Sequence, residues 1–215
     1  IPRRGVLMQS PSLDTVGVFA RTPLDAALLA EVLFGHDPQD SATSPAPVPR
    51  LLDVARTDPP VKPLFALIKP PGWAEADPQL HAAFAELTEA LGDQVFEAEL
   101  PAAFSQAAAL REQINFAEMA RCYYRYGRDG MDLLGPRTRD AMDKGAQILA
   151  RDYLAALDWR AVFTAAVDEV FERCDAILCP AATGPAPKGL EFTGNAIFNG
   201  LWTMLGTPAI TIPAF

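Results

Sequence analysis

Ser10 and Ser12 stand on either side of Pro11, shortly before Asp14. Two hydroxyls and a carboxylate this close could in principle supply a nucleophile and its support. A serine attacks only when a base takes its proton, however, and no His or Lys is placed by sequence to do so. Ser-Pro-Ser-Leu-Asp reads instead as a turn, in which short polar side chains bond nearby backbone. The two histidines, His36 and His81, lie far apart without ligand-like neighbours. They read as a residue just beyond a helix end and a residue on a helix face, not as a metal pair. Cys122, Cys174 and Cys179 form an odd set with no CxxC. They read as buried thiols in a reducing compartment, not as a disulfide framework.

The residues with a binding signature lie near the carboxyl end of the chain. Thr183 and Gly184 follow the apolar run Ala176-Ile177-Leu178-Cys179. In open α/β sheets, ligands bind just beyond the carboxyl ends of strands. Phe198 and Trp202, four apart, share one helix face and can line one pocket wall. Aromatic pairs at this spacing serve equally often as plain core, so both readings stand. No GxGxxG follows a strand, and GxxxxGK[ST], HExxH and GxSxG are all missing.

These residues need elements to hold them. Residues 14–20 read as a short apolar strand. A helix is expected after it, capped by Thr22, with Pro23 at its first position and Asp25 in its first turn. Leu24, Leu28 and Val32 give this helix a stripe expected to be buried, and Gly35 a left-handed stop. Residues 36–63 hold seven prolines and read as a surface connection with one short helical turn near Leu51 to Arg56. Leu64 to Lys69 reads as a strand, Asp77-Pro78 as the opening of a helix to Leu91, and Val95 to Leu100 as a second strand parallel to the first. Residues 102–126 and 137–157 read as helical. Asp158 reads as the cap of another helix to Arg173. The strand 176–179, a helix from Asn195 to Leu205 and a last strand through Pro213 complete the order. Alternation of this kind means an α/β protein.

Composition narrows the function classes. Half of the 215 residues are hydrophobic and 21% are charged, as in an ordinary globular protein. The net charge is −9, and the lysines Lys62, Lys69, Lys144 and Lys188 are scattered. Nucleic acid needs a basic stripe, so it is not an expected partner. No apolar run reaches a membrane span, and the longest, Ala26 to Phe34, contains Glu31. Both termini, Ile1-Pro2-Arg3-Arg4-Gly5-Val6 and Pro208 to Phe215, read like β-structure whose partners lie elsewhere. The expectation is a fragment, with open sheet edges.

Two segments resemble the amidase signature family of serine amidohydrolases. One is GVLMQSPSLDTVGVFARTPLDAALLAEVLFGHDPQD, from Gly5 to Asp40. It is similar to a family run of Ser-Leu-Asp, Val/Ile-Gly, Ala-Arg, a helix with Asp-Ala and Gly-x-Asp-x-x-Asp. The other is DAILCPAATGPAPKGLEFTGNAIFNGLWTMLGTPAITIP, from Asp175 to Pro213. It looks like the family's strand ending in Pro, pocket loop, Asn/Trp helix and Gly-x-Pro-Ala-Ile. Residues Gly145 to Ala156 match a weaker pattern between them.

The resemblance implies one incomplete amidase-type α/β domain over 1–215, with a partial core of mixed, mostly parallel sheet, surrounding helices and a helical insert. Residues 36–63 are the proline-rich surface connection within it. It implies hydrolysis of a small non-peptide amide by a Ser–cis-Ser–Lys triad, through an acyl-enzyme, without cofactor. The family's triad and glycine-rich loop precede the segment matching Ile1, so no catalytic residue is assigned in this chain. Thr183, Gly184, Phe198 and Trp202 are the expected substrate-binding residues. The expected location is cytoplasmic, the partner a small-molecule amide, with no nucleic acid and no membrane, and a homo-oligomer is compatible. One alternative is the A-type glutamine amidotransferase protein of tRNA-dependent amidation. That branch is expected to carry Arg where this chain has Ala141, with Arg137 and Arg139 nearby. The other alternative is a non-catalytic binding protein that retains the fold.

Overall fold

A computed structural model places residues 1–212 and 214. They fall into two compact units: residues 1–8 with 14–61, and residues 9–13 with 62–215.

The smaller unit is organised by polar contacts more than by an apolar centre. Buried Arg3 donates its backbone N–H to Asp40 Oδ2 (2.6 Å), one guanidinium N–H to Asp40 Oδ1 (3.2 Å) and another to the Asp14 carbonyl (3.0 Å). Helix α1 (Pro23–Leu33) begins as its sequence predicts: Thr22 Oγ1 accepts the Asp25 N–H and Pro23 opens the first turn. Helix α2 (Leu51–Arg56) occupies the expected short run and is fastened to α1 where Leu52 N–H meets Glu31 Oε2 at 2.9 Å.

Three expectations fail in this unit. Residues 14–20 form no strand, because no described segment pairs with them and an unpaired strand leaves its ladder groups unbonded. The α1 stripe is not buried: Leu24, Leu28 and Val32 are all exposed, Val32 at 76%. The amphipathic spacing is present, but no described residue covers it. Gly35 is not left-handed, since α1 ends at Leu33 and the chain leaves through an extended Phe34.

The larger unit is built on a parallel three-stranded sheet in the order β2-β1-β3. Its strands are β1 (Phe65–Ile68), β2 (Val95–Ala98) and β3 (Ala176–Leu178), in register at Phe65↔Val95 and Phe65↔Ala176. The central strand is buried at Ala66, Leu67 and Ile68, as a continuous apolar run in a parallel sheet requires. Asp175 fixes the start of the β1–β3 pair: its N–H donates to the Leu64 carbonyl and its carboxylate accepts the Leu64 N–H, both at 2.8 Å. Helix α3 (Pro78–Leu91) crosses from β1 to β2.

Helices α4 (Ala107–Gly130), α5 (Pro136–Ala146), α6 (Ala150–Phe171) and α7 (Ile197–Leu205) follow. Ile68, Phe104, Ile114, Phe163, Val167, Leu201 and Met204 form the main core with Leu13. A second cluster of Met119, Ala141 and Met142 sits where α4 meets α5. The two helices approach so closely that a Cβ on Gly145 would lie 1.9 Å from the Phe116 carbonyl oxygen. Only glycine fits there.

The helix boundaries also differ from expectation. α4 continues through Gly127 to Gly130, and the break after α5 falls at 147–149. α6 runs unbroken past Asp158, whose side chain lies on the helix and caps nothing. Residues 207–212 form no strand, and Ile210 is 70% exposed; Pro213, the expected end of that strand, lies outside the described residues. Among the described residues no helix is long and apolar enough to cross a membrane.

Candidate functional site

Three segments converge at the carboxyl end of the sheet. After β1 the chain turns through buried Pro70 to Gly72, which is left-handed at φ +87°. A Cβ on Gly72 would sit 2.4 Å from Ile197 Cδ1, so this turn is pressed against the first residue of α7. Trp73 follows; it stacks on His81 at 4.8 Å and meets Phe84 edge-on at 5.5 Å. The His81 ring is held by its Nε2 contact with the Trp73 carbonyl at 3.0 Å. Asp77 then caps α3, its carboxylate accepting the Gln79 N–H at 2.8 Å.

Asp77 also holds the loop after β3. Its N–H donates to the Thr183 carbonyl at 2.7 Å, and a Cβ on Gly184 would lie 3.2 Å from its own Cβ. Thr183 and Gly184 are therefore docked on the N-terminal end of α3, half-buried, beyond the carboxyl end of β3. The other two sequence-predicted residues lie on α7. Phe198 is fully enclosed and Trp202 is buried, the latter within the main core. Trp202 donates its indole N–H to Cys179 Sγ at 3.1 Å, which ties α7 to the residue that follows β3. Burial pushes the Cys179 thiol up to about 11, against the opposing Trp202 hydrogen bond. The fold thus ties Thr183 and Gly184 to the start of α3 through Asp77, and Trp202 to the end of β3 through Cys179.

An open depression of about 660 Å³ lies elsewhere, between α4, α5 and α6. Glu112, Gln113, Phe116, Lys144, Asp152 and Trp159 are among its lining residues, and none of the four expected site residues is. Among the described residues no cluster of three or more His, Cys, Asp or Glu could hold a metal ion.

One polar centre is not among the sequence expectations. Glu118 of α4 is 4% exposed, yet its carboxylate accepts four hydrogen bonds. Oε2 takes the Ser10 hydroxyl (2.6 Å) and the Ser12 N–H (2.9 Å). Oε1 takes the Ser12 hydroxyl and, at 2.7 Å, the Tyr153 hydroxyl. Burial pushes the Glu118 carboxyl up, but the donors from Ser10, Ser12 and Tyr153 outweigh it and hold the group below its ordinary value. Tyr153 is shifted up, by burial first and by the neighbouring carboxylate second. The serines are turn-like, with Leu13 N–H bonded to the Ser10 carbonyl, but their hydroxyls serve a carboxylate more than a hundred residues away in sequence. A signal existed: Glu118 falls on the four-residue stripe of Leu110, Ile114 and Cys122, where a charged side chain needs a buried partner.

Comparison with known proteins agrees with this architecture. The family model described as Amidase matches residues 1–214. An amidase of Pseudomonas putida is 29% identical over 194 residues, covering 87% of this chain and 40% of that protein. The A-type component of a glutamyl-tRNA(Gln) amidotransferase from Picosynechococcus sp. is 27% identical over 250 residues, covering 99% of this chain and 51% of that protein. A solved structure from a vestigial complex connected with the origins of an s-triazine catabolic enzyme superposes with a TM-score of 0.77 at 22% identity, over 94% of this chain and 46% of that one. The chain spans about half the length of the relatives it matches, or less. It belongs to the amidase family.

Proposed function

We propose that the protein is a cytoplasmic amidase acting on a small non-peptide amide, and that both compact units belong to one amidase-type domain. Its reaction breaks the amide C–N bond: a serine oxygen takes the acyl group, the nitrogen leaves protonated as ammonia or an amine, and water then releases the acid. No residue of this chain is assigned as nucleophile or base, so the activity is proposed for the whole protein and not for the 215 residues alone. Thr183 and Gly184 border the substrate at the sheet's carboxyl end, with Phe198 and Trp202 as the wall behind them. The observation that carries this reading is the family match along residues 1–214, together with the Pseudomonas putida amidase aligned over 87% of the chain.

A second reading, an A-type amidotransferase protein working with partner proteins, is favoured by the Picosynechococcus relative aligned over 99% of the chain. Ala141 weighs against it. This position, where that branch is expected to carry Arg, is 7% exposed and packed with Met119 and Met142. A guanidinium there would have to displace them. Ammonia release separates the two readings. The protein purified from its own cells is expected to release ammonia or amine from simple aliphatic or aromatic amides with no second protein added. Release from glutamine alone, and only with a partner protein, would overturn the amidase reading.

A further inference from the structure

Residues Gln9–Leu13 belong to the larger unit, while the chain on both sides of them, 1–8 and 14–61, packs as the smaller one. Their attachment to the larger unit is mostly polar. Gln9 Nε2 donates to Asn115 Oδ1 at 3.1 Å, and Arg160 donates to the Ser12 carbonyl at 3.3 Å. Ser10 and Ser12 supply three of the four donors on Glu118. Leu13 alone enters the apolar core.

Among the described residues, Glu118 makes no ion pair with Lys or Arg. A carboxylate this buried is tolerable only while its hydrogen bonds are made. With the segment in place the donors are the serines and Tyr153. With the segment lifted, water would take the place of the serines. Opening therefore exchanges hydrogen bonds to Glu118 for hydrogen bonds to water and draws one apolar side chain, Leu13, out of the core. The polar part of this exchange is nearly balanced and only Leu13 adds an apolar cost, in contrast to uncovering a packed helix.

We propose that Gln9–Leu13 is a strap latched by Glu118, and that it opens as a unit while α4 and α6 stay folded. Glu118 is a positioning residue here. It holds the strap against the helices, and Tyr153 holds the carboxylate in the orientation that receives the two serines. The inference is independent of which amide the protein cleaves.

Hydrogen–deuterium exchange resolved to single amides tests it, on the wild-type protein and two variants. The double variant Ser10→Ala with Ser12→Ala removes strap donors and leaves the helices untouched. Glu118→Gln keeps the shape but removes the charge. Both are expected to speed exchange of the Ser12 and Leu13 amides at least about tenfold, with α4 and α6 amides within about twofold of wild type. Equal acceleration in strap and helices would overturn the proposal, because the segment would then be part of the cooperative core. No acceleration in the strap would overturn it too, because Leu13 would then suffice to hold the segment. If Glu118→Gln fails to fold, the serine double variant decides alone.

Discussion

Trp202 reaches across from α7 to give its indole N–H to the sulfur of Cys179, 3.1 Å away. One contact thus joins the end of β3 to the helix that closes the core beneath it. It also satisfies a polar atom in a buried aromatic, which makes Trp202 costly to replace. The thiol is held near 11 by burial, so very little thiolate exists at neutral pH.

Thiol labelling follows from that relationship. At pH 8, Cys179 in the folded protein is expected to react with a soluble disulfide reagent about 100-fold more slowly than an unperturbed thiol. Removing the donor by Trp202→Phe loses the one contact that lowers the thiol's pKa. The lost hydrogen bond and the space left in the core should together cost about 2–3 kcal/mol of stability, and Cys179 should become no more reactive while the protein stays folded. Mass spectrometry of the labelled peptides reads the rates. Fast native labelling of Cys179 would contradict the burial.

Asp40 sets an acid limit on the smaller unit. The Arg3 backbone N–H, then the Ala42 N–H and the Arg3 guanidinium, lower its carboxyl from 3.8 to about 2. Its folded value is below its unfolded one, so its contribution to stability is complete above about pH 4 and is lost as pH falls through about 2. Carboxyl-carbon NMR should place its midpoint near 2, and Asp40→Asn should flatten the stability profile in that window. A midpoint near 3.8 would show that Arg3 does not hold it.

The α4–α5 crossing depends on a missing side chain. Gly145→Ala places a Cβ 1.9 Å from the Phe116 carbonyl oxygen and 2.8 Å from Ala120 Cβ. Backbone cannot yield as a flexible side chain does, so the helices must separate. A loss of about 3 kcal/mol is expected in denaturant unfolding. A loss under about 0.5 kcal/mol would mean that α5 shifts freely on α4.

Much of the larger unit is legible because its punctuation is local. Asp77-Pro78 starts α3 where a cap and a first-turn proline belong, and Gly206 ends α7 at φ +73°. The apolar runs of β1 and β3 are short and bounded, so both strands can be read within a residue or two. What local pattern cannot supply is partnership. Leu24, Leu28 and Val32 have the spacing of a buried stripe, but burial depends on a neighbour and the described residues provide none. Residues 14–20 are apolar enough for a strand and lack a paired edge for the same reason. Asp158 has the look of a cap because Asp often is one, but nothing at 150–157 breaks the helix ahead of it. The Glu118 centre is the largest omission among the polar groups. Its serines are more than a hundred positions distant, and only the charged residue on an apolar stripe hints at them. The position of Thr183 and Gly184 beyond the carboxyl end of β3 follows from strand-end logic alone, while their anchor on Asp77 is a tertiary contact with no sequence signature.

The most direct measurement is amide turnover by the purified 215-residue chain itself, followed as ammonia or amine released from a panel of small aliphatic and aromatic amides. With no nucleophile or base assigned to these residues, release is expected to be no faster than the buffer blank. Turnover that survives purification and scales with protein concentration would contradict this, because the catalytic groups would then have to lie within the chain.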